Sequence, residues 1–141
     1  MAIEYAVDRP VSVEQFRQVL NASTLGERRP MDDAECLQGM IANSNLIVTA
    51  WDEDILVGIA RSVTDFHYAC YLSDLAVHVD YQRSGIGKQL MVLTQDQLEP
   101  KCKLILLAAP AADTYYERVG FTRHPRCWVL DRNERVGHDR K

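Results

Sequence analysis

No uninterrupted apolar run in the sequence approaches the ~20 residues of a membrane-spanning helix, so no membrane partner is expected. The first ten residues hold no basic patch followed by an apolar stretch, the mark of a secretory signal, and the cytoplasm is the expected compartment. Basic charge is also not in excess. The 16 Lys and Arg face 20 Asp and Glu, a net charge of −4. Broad nucleic-acid binding, which takes a basic face, is not expected. The four cysteines (Cys36, Cys70, Cys102, Cys127) form no C-x-x-C pair, and the four histidines (His67, His78, His124, His138) form no H-x-x-x-H pattern. Structural zinc normally uses such spacings, and disulfide scaffolds are shorter and denser in cysteine. The expectation is therefore no metal and reduced, mostly buried thiols. Internal repeats and low-complexity segments are missing as well.

What remains is an ordinary globular composition, 47% apolar and 26% charged over 141 residues. That length suits a single domain, 1–141, with one core. Residues 131–141 read as a polar, frayed tail.

The hydrophobic period changes along the chain. Residues 3–7 read as a short strand. Ser12 and Gln15 form an S-x-x-Q capping box ahead of Phe16, Val19 and Leu20, which predicts a helix over 13–22. Asp32 and Glu35 signal a second helix whose apolar face is Cys36, Leu37, Met40 and Ile41. Residues 45–51 and 55–63, joined by the polar turn Asp52-Glu53-Asp54, read as a β-hairpin. A third strand, 68–79, extends it into an antiparallel meander. A helix over 85–98 presents Ile86, Leu90, Leu93 and Gln97, and Pro100 ends it. The fully apolar 104–108 suits a strand inside a sheet. A helix from Pro110 to Val119, with Gly120 at its C′ position, and a last strand over 127–130 complete the order β-α-α-β-β-β-α-β-α-β. This predicts an α/β (mixed α+β) fold, a mixed sheet with helices on both faces.

The most informative stretch is Leu75-Ala76-Val77-His78-Val79-Asp80-Tyr81-Gln82-Arg83-Ser84-Gly85-Ile86-Gly87-Lys88. A buried strand runs through a tight turn directly into a helix. Gly85 and Gly87 leave the backbone open to a ligand. The first N–H groups of a helix have no internal acceptor, and the helix dipole favours negative charge there. Phosphate is the ligand such a site suits, with Arg83 and Lys88 adding charge. The stretch is neither a full G-x-G-x-x-G, because Leu90 takes the third position, nor a G-x-x-x-x-G-K-[ST] loop.

Gln82-Arg83-Ser84-Gly85-Ile86-Gly87 resembles the Q/R-x-x-G-x-G/A signature of the GNAT superfamily of acyl-CoA-dependent N-acyltransferases. Leu72-Ser73-Asp74-Leu75-Ala76-Val77 resembles that family's fourth strand, and Tyr115-Tyr116-Glu117-Arg118-Val119-Gly120-Phe121 is similar to its F-Y-x-x-x-G-F. The resemblance implies a mostly antiparallel sheet splayed between strands four and five by a bulge, here near Leu75 and Ile105. It implies acetyl-CoA as cosubstrate, with its pyrophosphate on the N–H groups of Arg83, Ser84, Gly85, Ile86, Gly87 and Lys88, and with Gln82 also among the cofactor-binding residues. The pantetheine would lie along Leu75, Ala76 and Val77, and an N–H at or beside Val77 would polarise the thioester carbonyl. Tyr116 matches the tyrosine that protonates the leaving thiolate. Ala109 stands where many members carry an asparagine near the pantetheine.

The implied activity is acetyl transfer to a primary amine, most simply a small molecule. Transfer to a protein or peptide, and a non-catalytic CoA-binding regulatory role, are the alternatives. The general base is open among Asp74, His67 and water, since a carboxylate in an apolar strand needs either a partner or a role. Arg28 and Arg29 lie in the loop that borders the acceptor site in this family. They make a carboxylate or other anion on the acceptor an expectation. A homodimer is expected, as in many relatives.

Overall fold

The computed structural model describes residues 2–137, so His138 and the last residues of the expected frayed tail lie outside the described residues. The chain forms two compact units, Met1–Ala109 and Pro110–Lys141.

In the first unit the capping box forms as the sequence predicts. Ser12 Oγ accepts the Gln15 N–H at 3.0 Å, Gln15 Oε1 accepts the Ser12 N–H at 3.0 Å, and helix α1 (Val13–Ala22) follows. Its buried residues are Phe16, Val19 and Leu20. Helix α2 (Ala34–Ala42) is capped by Asp33 rather than Asp32, through its Oδ1 to the Cys36 N–H at 3.0 Å. Leu37 is buried and Met40 and Ile41 are partly so, whereas Cys36 is exposed beside the cap.

The strands are β1 (Glu4–Val7), β2 (Leu46–Asp52), β3 (Ile55–Thr64), β4 (Ala69–Val77) and β5 (Lys103–Ile105), in that spatial order. The first three pairings are antiparallel and β4 with β5 is parallel. This is the mixed, mostly antiparallel sheet that was expected. Cross-strand partners share a face. Thr49, Ile59 and Ala76 therefore lie on one face, where Ile59 and Ala76 join a core with Phe16, Leu20 and Leu37 of α1 and α2. Helix α3 (Ile86–Asp96) takes the other face. There a Cβ added to Gly58 would sit 3.1 Å from Leu90 and 3.2 Å from Ile86, so glycine is what lets α3 approach. The stripe α3 buries is Ile86, Leu90, Met91 and Thr94. Gln97 is the exposed C-cap and Leu93 only half-buried, contrary to expectation.

Two further expectations are corrected. The apolar 104–108 does not make an interior strand. Only Lys103–Ile105 pairs, at the sheet's outer position, with Ile105 exposed. Residues 127–130 form no strand, and Trp128 is 92% exposed. The second unit contains no strand among the described residues. The thiols are free, but only Cys70 is buried. Cys102 is half-buried and Cys36 and Cys127 are exposed, so "mostly buried" does not hold.

In the second unit the expected helix breaks into a 3₁₀ turn (Pro110–Ala112) and helix α4 (Tyr115–Arg118). Gly120, at φ +108°, is the C′ residue as expected. Its N–H reaches Glu117 O at 3.3 Å and the Phe121 N–H reaches Tyr116 O at 2.9 Å. This pair of bonds is a Schellman motif, with the Phe121 ring edge-on to Tyr116 at 5.6 Å as its apolar contact. The Y-Y-x-x-x-G-F pattern thus has a local physical reason. Glycine supplies the left-handed turn, and the last aromatic locks Tyr116 onto the helix end.

Candidate acetyl-CoA site

Strand β4 pairs with β5 only through Ala69, Cys70 and Tyr71. Beyond Tyr71 its ladder to β3 continues to Val77. The β5-facing edge is therefore left open over 72–77 among the described pairings. Antiparallel ladders alternate between residues that bond their partner and residues that face away. The His78 N–H donates to Val57 O at 2.8 Å, which fixes the phase. Ala76 faces β3, and the main-chain groups of Leu75 and Val77 face the open edge. Val77 O already accepts Gln82 Nε2 at 2.8 Å. The Val77 N–H and both groups of Leu75 are what this edge presents.

After β4 a 3₁₀ turn (Val79–Tyr81) leads into residues 82–85 and then α3. Arg83 has φ +67° and Gly85 φ +85°. Left-handed backbone in a tight turn is the geometry that gathers N–H groups into an anion nest. For a non-glycine residue such as Arg83 it costs about 1–2 kcal/mol. The helix start carries no side-chain cap, in contrast to Ser12 and Asp33 at α1 and α2. Residues 82–85 and Lys88 are exposed. Tyr81 fastens the loop from below: its hydroxyl donates to Asp52 Oδ2 at 2.6 Å, and its carbonyl accepts Ser84 Oγ at 2.5 Å. The hydrogen bond to Asp52 raises the Tyr81 phenol above its ordinary value.

Asp74 and Arg29, given separate roles by sequence reasoning, are partners. Asp74 is 0% exposed. Arg29 Nε donates to its Oδ1 at 2.6 Å, and Arg61 Nε donates to its Oδ2 at 2.5 Å. Arg29 Nη2 also reaches Ser73 O, and Arg61 Nη2 reaches Ser73 Oγ, each at 2.9 Å. The β3–β4 register shifts here, with Arg61 opposite Asp74 but Ser62 opposite Leu72. Ser73 is the extra residue of a β-bulge. The bulge expected near Leu75 is thus two residues earlier and on the β3 side. Arg28 is exposed, and so is His67, in the turn between β3 and β4.

Residues 11–128 match the acetyltransferase (GNAT) domain family. The chain belongs to the GNAT acetyltransferase family. A Prochlorococcus marinus protein named as an uncharacterized N-acetyltransferase, ycf52-like, is 30% identical over 82% of this chain and 64% of its own length. The chain spans 56% and 64% of the lengths of the first two curated relatives it matches. Among solved structures, a GNAT-family acetyltransferase of Streptococcus pneumoniae superposes with a TM-score of 0.73 at 24% identity, covering 92% of this chain and 98% of that one. An aminoglycoside N-acetyltransferase, AAC(6′)-Iy, in complex with CoA, gives 0.70 at 16% identity over 94% and 95%.

Sequence reasoning missed Arg61, Ser73, Tyr81 and Asp52. A signal for Arg61 was present. It is a lone charge in the apolar run 55–63, and a buried charge needs a partner. Asp74 is the lone opposite charge in the next strand of this GNAT sheet. Tyr116 lies in the second unit, with Tyr115 edge-on at 5.3 Å, and burial raises its phenol above the ordinary value. Among the described residues no cluster of His, Cys, Asp or Glu could hold a metal ion, and no helix is long and apolar enough to cross a membrane.

Proposed function

We propose that this chain binds acetyl-CoA and transfers the acetyl group to a primary amine of a small molecule. The observation that carries the reading is the uncapped, exposed start of α3, with Arg83, Gly85 and Lys88, directly after the open edge of β4. The pyrophosphate would take the N–H groups of residues 83–88. The pantetheine would pair with Leu75 and Val77 rather than with Ala76, whose main-chain groups serve β3. The solved relative holding CoA supports the same cosubstrate. Its aminoglycoside acceptor belongs to the class of small amines proposed here.

In the reaction the ammonium form of the acceptor first gives up a proton to solvent. The free amine attacks the thioester carbon and the C–N bond forms, the nitrogen, now cationic, releases its second proton to solvent, and the C–S bond breaks. The Val77 N–H is the donor proposed to meet the charge on the carbonyl oxygen. Tyr116 is the proposed acid for the departing thiolate, and its raised pKa keeps the proton on the phenol at neutral and mildly alkaline pH. Replacing it with phenylalanine is expected to lower kcat by about 10²–10⁴-fold while leaving CoA affinity unchanged. Turnover unchanged across pH in Tyr116→Phe would remove it from the chemistry.

We assign Asp74 a structural role rather than that of general base. Both its oxygens are engaged, and no solvent or amine reaches them while Arg29 stays in place. That leaves Arg28 as the cation for an anionic group on the acceptor. Amines with a carboxylate should lose turnover in Arg28→Ala, and amines without one should not. An equal response of both sets removes Arg28 from recognition. The function itself is tested by calorimetry with CoA and by acetyl transfer to a panel of small amines and peptides. No CoA binding at millimolar concentration overturns the reading, and preferred transfer to peptides overturns the small-molecule acceptor.

A further inference from the structure

Plain alternation would put Cys70, Leu72, Asp74 and Ala76 on one face of β4. The register shows otherwise. Cys70 and Leu72 pair with Thr64 and Ser62, while Asp74 and Ala76 pair with Arg61 and Ile59 on the opposite face. The extra residue, Ser73, turns the strand over between the two halves. The turnover occurs just past Tyr71, where pairing to β5 stops. The bulge therefore divides a half of β4 that is zipped to β5 from a half whose outer edge is open.

A bulge interrupts the hydrogen-bond ladder and bends its strand, so its shape depends on what holds it. Here two guanidinium groups hold it. Arg61, from β3, takes Asp74 Oδ2 and Ser73 Oγ, and is itself fixed by Ser44 Oγ at 2.9 Å. Arg29, from the segment joining α1 to α2, takes Asp74 Oδ1 and Ser73 O. Two forks converge on one dipeptide from two different elements, with the carboxylate fully buried between them. Planar forks of this kind fix orientation as well as proximity. Val77 and its open N–H lie three residues further along the same strand, so a tilt at the bulge is carried to that N–H.

We propose that Arg61, Asp74 and Arg29 form a clamp on the β4 bulge that aims the main-chain groups of Leu75 and Val77 at the thioester. Arg61, Asp74 and Arg29 are then positioning residues for acetyl transfer. They hold no substrate atom and exchange no proton with one. The inference rests on the acetyl-CoA reading above, and its test keeps the two apart. A backbone donor displaced by a fraction of an ångström from the oxyanion position loses much of its effect on the reaction, while the phosphate site is untouched.

The experiment uses the full chain labelled with nitrogen-15 and titrated separately with CoA and with acetyl-CoA. Amide shifts at residues 83–88 report the pyrophosphate. The difference between the two ligands at Leu75 and Val77 reports the acetyl group. In Ser73→Ala, Arg61→Lys and Arg29→Lys the response at 83–88 is expected to remain, and the acetyl-dependent shift at Val77 to be lost. Ser73→Ala removes one hydroxyl and no charge, so it decides the matter if a guanidinium variant does not fold. A folded Ser73→Ala or lysine variant that keeps the acetyl-dependent shift overturns the clamp. No response at 83–88 in the wild-type chain overturns the acetyl-CoA reading instead.

Discussion

Replacing Gly85 with valine is expected to lower the affinity for acetyl-CoA by more than about tenfold, which corresponds to ~1.4 kcal/mol of binding free energy. The reason is conformational rather than steric. Gly85 sits at φ +85°, and a Cβ added there would meet no atom within 4 Å. Valine has room, but a β-branched residue does not populate that backbone region. Keeping it there costs about 1–3 kcal/mol. The loop is exposed and joined to the sheet chiefly through Tyr81 and Gln82, so it is expected to relax instead. Relaxation re-aims the first N–H groups of α3, the groups proposed to face the pyrophosphate. Calorimetry with acetyl-CoA measures the loss, and thermal unfolding separates it from a general loss of stability. Gly85→Ala should fall between the two, because alanine is less restricted than valine at the same φ. If Gly85→Val binds acetyl-CoA as the wild type does, the start of α3 is not the phosphate site.

The same distinction between local and non-local causes explains how much of the molecule was legible in the sequence. Helix α1 was readable residue for residue, because its capping box and its apolar triad are all within a few positions of one another. Gly120 as a C′ residue was readable for the same reason, since a Schellman motif closes within six residues. The turn into α3 and its uncapped start were readable because glycine spacing and a helix start are local features. The bulge at Ser73 was not. Its position depends on which β3 residue faces which β4 residue, and alternation in β4 alone looks regular through it. The apolar run 104–108 misled in a related way. Hydrophobicity marks what a segment tolerates, whereas its place at the sheet's outer edge is decided by the partners available. Asp74 was legible as a charge out of place. The two groups that hold it, Arg29 and Arg61, lie 45 and 13 residues away in the chain.

Removing that carboxylate should produce a large stability effect in the first unit. Asp74→Ala is expected to destabilise the fold by about 3–5 kcal/mol, the range for breaking a buried ion pair by deleting one partner. That is a large share of the roughly 5–15 kcal/mol that holds a domain together. The two guanidiniums left behind are not equivalent. Arg29 is 21% exposed and can turn toward water, whereas Arg61 is 7% exposed and lies inside the sheet. The residual penalty is therefore concentrated at Arg61. A second change, Arg61→Met, removes the stranded charge and replaces it with apolar volume. The double variant Asp74→Ala/Arg61→Met is consequently expected to be more stable than Asp74→Ala alone, even though it carries one more substitution. Urea denaturation midpoints of the wild type, both single variants and the double variant close the cycle. If the second substitution adds its own full loss to the first, the pair is not coupled and the carboxylate is not held by Arg61. If Asp74→Ala lies within about 0.5 kcal/mol of the wild type, the scale of an ordinary surface change, the buried cluster does not stabilise the fold. Recovery in the double variant, with the acetyl-dependent signal at Val77 still lost, would show that the charges are retained for the geometry they impose on β4 and not for the stability they add.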